Sequence, residues 1–445
     1  MSRRPRNPQP LDAPAPRRRR MSRRKRLLVT ISVVLTALLV AAGAAAAFVL
    51  RSLNEGIVRS DFALPHATKK PEPGEQNILI MGMDTRVDQR GEPLPKQVYE
   101  ALHAGTEDDG GYNANVLMLI HIPKDRKKSV GISIPRDDYA EIVGAPLGVT
   151  HSKIKEAYGL AMQQRMNELQ GDEKLSPDEK YQQARAAGRQ AQIETVSHFL
   201  GDVRIDHFVE MTMGGFYYVS EAVAPITVCL NRATEDSYSG ARFAAGVQEL
   251  DAQQAMSFVR QRRDTGVDGP ELTDLDRARR QQAFLVALAD KLKQQSTLTD
   301  PKTVTELVGV TQSHVALDTG FDVLGFLDIA RTAAQNGIEF VTLPIVEFST
   351  IDGAAVNIVD LDEIHRVTAS LLGTAPPATP KPAPTSAPGE PGAPAAEGSA
   401  PAPNSNPTAP TAAPDPAPAK TPASGPTSYG SWDEPIRPGT RPCVN

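Results

Sequence analysis

Arginine recurs in close pairs along one stretch of this 445-residue chain. Arg260 and Arg262 are two apart, and in an extended segment they would point to one face. Arg277 and Arg280 are three apart near a helix start, with Gln281 and Gln282 next in sequence, and share one helical face. Arg136 follows Pro135 in Ser133-Ile-Pro-Arg-Asp137, at the C-terminal end of a strand pattern. Ligands of open α/β sheets bind at that edge. A guanidinium donates two parallel charge-assisted hydrogen bonds, which suits phosphate. Five arginines converging on one pocket would need an anion of more than one charge. Taken singly, each pair also fits a solvated face or surface ion pairs, with Asp264, Asp274 and Asp276 as partners. Other chemistries find little foothold. The chain has no P-loop, Rossmann glycine fingerprint, H-E-x-x-H or G-x-S-x-G. Its eight histidines are scattered, and His121, inside an apolar run, reads as structural.

The elements that must carry these residues lie between about 77 and 372. Segments 77–83, 116–122, 130–134, 207–213, 226–230 and 340–345 read as strands. Segments 152–169, 178–200, 251–258, 275–294, 322–335 and 360–372 read as helices. Leu275, Ala278, Leu285, Leu288 and Leu292 recur at helical spacing. Strands alternating with helices predict an α/β fold, a central mixed sheet with helices on both sides. Two polar stretches, 88–111 and 167–185, read as insertions or mobile elements.

Charge divides the chain. Residues 1–26 carry eleven Lys or Arg against one acid, Asp12, a local charge of +10, so a total of −5 leaves −15 on the rest. An acidic body argues against nucleic acid as a partner. Residues 27–50 are 24 consecutive uncharged residues, about 36 Å as a helix, against a hydrocarbon core of roughly 30 Å. They read as an uncleaved transmembrane anchor; a cleaved signal peptide is the alternative, with Ala44–Ala47 as its small residues. The basic flank keeps the N-terminus inside, which predicts a single-pass type II protein of the cell membrane with its bulk outside. A short stem, 51–76, follows. Twenty of the 38 prolines lie beyond residue 373. That predicts a disordered tail over 373–445, either threading through wall polymer or acting as a passive spacer.

Seven pieces occur in order that together resemble the LytR–CpsA–Psr family of bacterial cell-wall proteins. They are Asn77–Arg86, Val116–Ile122, Ser133–Asp137, Lys153–Tyr158, Asp206–Phe216, Leu250–Arg262 and Arg277–Gln282. The resemblance implies a membrane-anchored phosphotransferase, active in cell-wall biogenesis at the outer membrane face. It would move an anionic glycopolymer from a polyprenyl-phosphate or pyrophosphate carrier to peptidoglycan. A long apolar pocket for the lipid, assistance by Mg²⁺ and a pyrophosphatase side activity are further implications. The family's phosphate-binding arginines match Arg136, Arg260, Arg262, Arg277 and Arg280, its glutamine matches Gln281 or Gln282, and its first functional aspartate matches Asp84. Where the family often reads Arg-Ser-Asp-Thr, this chain reads Asn113-Ala-Asn115-Val116. A second carboxylate is thereby an amide, which leaves Asp84 and Asn115 as the metal candidates. Mg²⁺ prefers carboxylate and phosphate oxygens. The Asn pair favours a second reading, a scaffold that binds lipid-linked polymer without transferring it.

The two cysteines, Cys229 and Cys443, are the minimum for a bridge and would both face an oxidising environment. The alternative is a buried free Cys229 and an exposed Cys443.

Overall fold

Runs of branched and long apolar residues build the centre of the computed structural model, which describes residues 56–65, 74–106, 109–266, 269–293, 300–322, 335–374 and 426–445. In chain order the elements are β1 (Val58–Ser60), β2 (Gln76–Met83), α1 (Lys96–Leu102), β3 (Ala114–Ile122), β4 (Ser129–Ser133), β5 (Tyr139–Glu141) and β6 (His151–Lys153). Next come α2 (Ala157–Leu169), α3 (Pro177–Phe199), β7 (His207–Met211), α4 (Met213–Val223), β8 (Ile226–Leu230), β9 (Thr234–Asp236), β10 (Ala241–Phe243) and β11 (Gly246–Leu250). The chain continues with α5 (Ala252–Arg260), α6 (Asp274–Lys293), α7 (Pro301–His314), β12 (Val315–Asp318), β13 (Ile338–Thr342), β14 (Glu347–Ile351) and β15 (Ala354–Ile358). It closes with α8 (Leu361–Leu371), β16 (Pro426–Ser428) and β17 (Arg441–Val444).

Seven strands form a mixed sheet in the order β1-β12-β7-β2-β3-β4-β13. β2 runs parallel to β7 and antiparallel to β3, and β4 runs antiparallel to β3 and parallel to β13. Side chains alternate across it. Ile78 and Met118 enter one core, with Val98, Phe258 and Phe284 of the helices α1, α5 and α6. Leu79, Met81 and Leu117 enter the other, with Tyr158, Val196 and Ile364 of α2, α3 and α8. The period of two along each strand thus fills both faces. The architecture is a helix–sheet–helix sandwich, the α/β class read from the sequence.

Several expectations change. The stretch 167–185 is no insertion, because α3 starts at a capping box in which Ser176 and Glu179 satisfy each other's backbone N–H. Its polar character is internal pairing. Arg185 and Arg189 are fully buried and share the carboxylate of Glu210 on β7, with Gln89 bonded to all three. The stretch 88–111 holds α1. Strand β7 ends at Met211 because the hydroxyl of Thr212 accepts from Gly215 N and caps α4. The last twenty residues of the tail are not disordered: β17 pairs in parallel with β8, and Tyr429, Ile436 and Val444 are buried. Three apolar side chains among the prolines give that segment the buried surface which the rest of the tail's composition withholds. Segments 1–26 and 27–50, most of the helix expected at 322–335 and tail residues 375–425 lie outside the described residues. Among the described residues no helix is long and apolar enough to cross a membrane.

Candidate functional site

Three strand ends meet at one edge of the sheet. Asp84 follows the C-terminal end of β2, Asn115 opens the antiparallel β3, and Arg136 lies three residues past β4. In the β3–β4 register Met118 faces Ser133, so continuing three residues each way brings Arg136 level with Asn115. The N-terminal turns of α6 cover that edge. Asp274, Arg277, Ala278 and Gln281, spaced as one helical face, line a cleft with Asn115, Val116, Leu117, Met118, Ser133, Ile134, Pro135 and Arg136. Its walls are apolar below and charged above.

The charged groups form an alternating chain. Asp84 accepts from Asn113 N at 2.9 Å, from Asn113 Nδ2 at 3.3 Å and from Asn115 Nδ2 at 3.0 Å. The Asn115 carbonyl accepts from Arg136 at 2.7 Å, and Arg136 donates to Asp274 Oδ1 at 2.9 Å. Arg277 donates to Asp274 Oδ2 at 2.9 Å and to the backbone oxygen of Asn115 at 3.3 Å. A carboxylate on one side and a guanidinium on the other fix which way the Asn115 amide points. On the far side of Arg136, Asp137 takes Lys155 Nζ at 2.7 Å and stands 4.0 Å from Lys153 Nζ.

Burial sets the electrostatics. It lowers the pKa of Arg277 to about 10; Asp274 opposes that shift and Arg136 adds to it. Burial alone would raise the pKa of Asp274, but Arg277 and Arg136 outweigh it and hold that carboxyl below the usual range. Lys155 is also lowered, by burial and by Arg136. The Nε–H groups of Arg136 and Arg277 are buried and have no hydrogen-bond acceptor; Asp137 Oδ2 is 3.6 Å from the former. Two buried cationic donors therefore lack the acceptors that such groups normally have.

The remaining sequence candidates separate. Arg262 is exposed and is not among the residues that line the cleft, although its charge helps to lower the pKa of Asp274. Arg260 is the last residue of α5 rather than part of an extended run, and it does not share a face with Arg262. It donates to the backbone oxygens of Leu102 and His103, and Arg86 donates to that of Ala104. Burial, and then the Arg86 charge, lower its pKa to about 10. Arg280 is not in the cleft. A step of three from Arg277 rotates the side chain back toward β9, where it donates to Gln261 Oε1 at 2.6 Å, Thr234 Oγ1 at 3.2 Å and Asn445 O at 2.6 Å. Gln282 faces the sheet and bonds Ser133 and Thr342. Asp274, Asp137 and Lys155 join the site without being among the residues that the sequence pattern nominates for it. The D-x-x-R spacing of Asp274 and Arg277 and the repeat of Lys153 and Lys155 were the available signals. Cys229 and Cys443 are joined in a disulfide.

The residues do not fit a resident Mg²⁺. Asp84 supplies the one carboxylate beside Asn113 and Asn115, its oxygens already accept three N–H donors, and the Asn115 carbonyl faces a guanidinium. Among the described residues no group of three or more His, Cys, Asp or Glu is placed to hold a metal.

The sequence profile of the LytR_cpsA_psr family matches residues 57–372, more than half of the chain. The chain is 33% identical over 310 residues to the cell wall biosynthesis protein LcpA of Corynebacterium glutamicum, covering 68% of this chain and 57% of that protein. It therefore spans somewhat over half the length of that relative. It is 26% identical over 298 residues to the polyisoprenyl-teichoic acid–peptidoglycan teichoic acid transferase TagU of Oceanobacillus iheyensis, covering 67% and 75% respectively. Among solved structures, a LytR-Csp2A-Psr enzyme from Actinomyces oris superposes with a TM-score of 0.48 at 17% identity, over 71% of this chain and 95% of that one. By its family match, the chain belongs to the LytR–CpsA–Psr family.

Proposed function

We propose that the chain is a transferase of cell-wall biogenesis that takes an anionic glycopolymer from a polyprenyl-phosphate or pyrophosphate carrier and attaches it to peptidoglycan. It would work from the outer face of the membrane, held by the apolar segment 27–50. The observation that carries this reading is the pair of buried Nε–H donors on Arg136 and Arg277 without an acceptor, in a cleft also lined by Val116 and Met118. The names of the relatives LcpA and TagU support it.

In the step we propose, Arg136 and Arg277 bind the carrier phosphate, and Lys155 and Arg262 add positive charge around it. The acceptor sugar hydroxyl attacks the phosphorus that bears the glycopolymer. In a pyrophosphate-linked donor the bond from that phosphorus to the bridging oxygen breaks and polyprenyl phosphate leaves with the electron pair. In a monophosphate-linked donor the polyprenol oxygen leaves with the pair and takes up a proton. Asp84, oriented by Asn113 and Asn115, takes the hydroxyl proton. Positioning and charge neutralisation do most of the work in such displacements. Water in place of the sugar would give the pyrophosphatase side reaction.

Purified protein given a lipid-linked glycopolymer and peptidoglycan should yield covalently modified peptidoglycan, and Arg277→Ala should lower the yield roughly ten- to hundred-fold. Binding of the donor with no turnover would select the scaffold reading, to which the prior pairing of both arginines with Asp274 lends weight. Failure to bind any polyprenyl phosphate would overturn both.

A further inference from the structure

We infer that residues 426–445, which lie beyond the family match, are a positioning element of the arginine cleft, and that the Cys229–Cys443 disulfide keeps them seated. The segment lies behind helix α6. Its strand β17 pairs with β8, placing Cys443 beside Cys229 and Val444 beside Leu230, and also packs along α6. Two consecutive residues of that helix reach back to it. Arg280, fully buried, donates to Asn445 O at 2.6 Å. Arg279, also buried, donates to Glu434 O and lies 5.3 Å from the Tyr429 ring centroid.

These two arginines lie between Arg277 and Gln281, the residues that α6 presents to the cleft. The rotation of α6 about its axis is therefore held from behind by the strap while its front face offers the donors. Removing the strap strips acceptors from two buried guanidiniums. Arg280 would keep Gln261 and Thr234, and Arg279 would keep Gln282. Each would still be short of an acceptor, which is costly for a buried cation, so α6 would turn or loosen until water reaches them, and Arg277 would move with it. The strap is seated by pairing with β8, by the Phe340–Ile436 bridge and by the buried Tyr429, Ile436 and Val444, but it is short. Its two strands span three and four residues, too few to be stable by themselves. The covalent link at Cys443 supplies what is missing. Because disulfides persist in oxidising surroundings, a chain so built completes its cleft only there.

What the cleft binds rests on the proposed function, but the strap's role is testable without it. A protease site introduced between residues 390 and 410 of the full chain allows one cut, after which the disulfide alone tethers the strap; dithiothreitol then releases it. Hydrogen exchange of the 274–293 amides and calorimetric titration with inorganic pyrophosphate are the two readouts. Cutting alone should change neither. Cutting plus reduction should speed exchange in α6 at least ten-fold while β2 and β3 stay protected, and should weaken pyrophosphate binding about ten-fold. Uncut Cys443→Ser protein should fall between the two states. Unchanged exchange in α6 after release would overturn the inference, and so would equal loosening of β2 and β3, which would make the strap a general stabiliser. If the intact protein binds no pyrophosphate, the phosphate reading of the cleft falls and the exchange result still decides the strap.

Discussion

Asn115 stands between the Asp84 carboxylate and the Arg136 guanidinium, and its amide satisfies both at once. Asn115→Asp would place a second carboxylate about 3 Å from the first, since the present Nδ2–Oδ2 distance is 3.0 Å. Like charges that close raise one another's pKa or recruit a cation. The variant should bind Mg²⁺ in a calorimetric titration, and the natural chain should show at least ten-fold weaker binding; equal affinities would refute this account of the site. The arginines divide by role in the same way. Arg136→Ala and Arg277→Ala each remove a charge-assisted contact, about 1.5–3 kcal/mol. That is roughly a ten- to hundred-fold loss in affinity for a polyprenyl phosphate, with Lys rescuing only part because it lacks the fork. Arg280→Ala should act first on stability, lowering the melting temperature, because its three acceptors are all in the protein. Near-normal binding by the Arg277→Ala protein would remove the cleft from consideration.

The helix α3 shows how a polar element becomes part of the core. Arg185 and Arg189 point inward and share Glu210, leaving one net positive charge among the rings of Tyr112, Tyr158 and Tyr181. Burial would raise the pKa of Glu210, but the guanidiniums of Arg189 and Arg185 outweigh it and bring it to about 2. A carboxyl lowered on folding stabilises fully above its unfolded pKa of 4.5, and the contribution is lost as pH falls from there toward 2. Glu210→Gln leaves two buried guanidiniums without a counter-charge, which costs about 3–5 kcal/mol. Urea unfolding at pH 7 should register that loss, and the variant's stability should vary less with pH between 4.5 and 2. This pairing also explains what the sequence concealed. Five of the seven strands of the central sheet were legible because their apolar runs are local signals; β1, inside the stretch expected to be a stem, and β12 are three and four residues long and gave no such run. The role of α3 was not, because its inward side is polar and its partner Glu210 lies on another element. The site divides similarly. Arg136 and Arg277 stand at one cleft as their pattern suggests, and Asp84, to which only the family resemblance pointed, lies beside them. Spacing alone does not say which of two faces a helix buries, so it did not separate Arg280 from Arg277. Asp274 was read as a surface partner because nothing local announces that it bridges two arginines.

At the scale of the whole molecule, charge and covalent linkage point to one orientation. The +10 charge of residues 1–26 precedes 24 uncharged residues, and the body beyond carries most of the acid. Lys and Arg beside a hydrophobic segment resist translocation, so the basic end should stay in the cytoplasm and the body should face outward. The disulfide between Cys229 and Cys443 fits the same expectation, because a reducing cytoplasm would keep both thiols free. Protease added to intact wall-less cells should therefore digest the body and spare a tag fused before residue 27, and non-reducing peptide mapping of protein from such cells should recover Cys229 and Cys443 in one linked species. The two measurements are coupled. A protected body would predict free thiols, and an exposed body with free thiols would leave β17 held by backbone pairing and packing alone. Digestion of the N-terminal tag with a protected body would reverse the orientation and exclude peptidoglycan as a substrate, since the cleft would then open on the wrong side of the membrane.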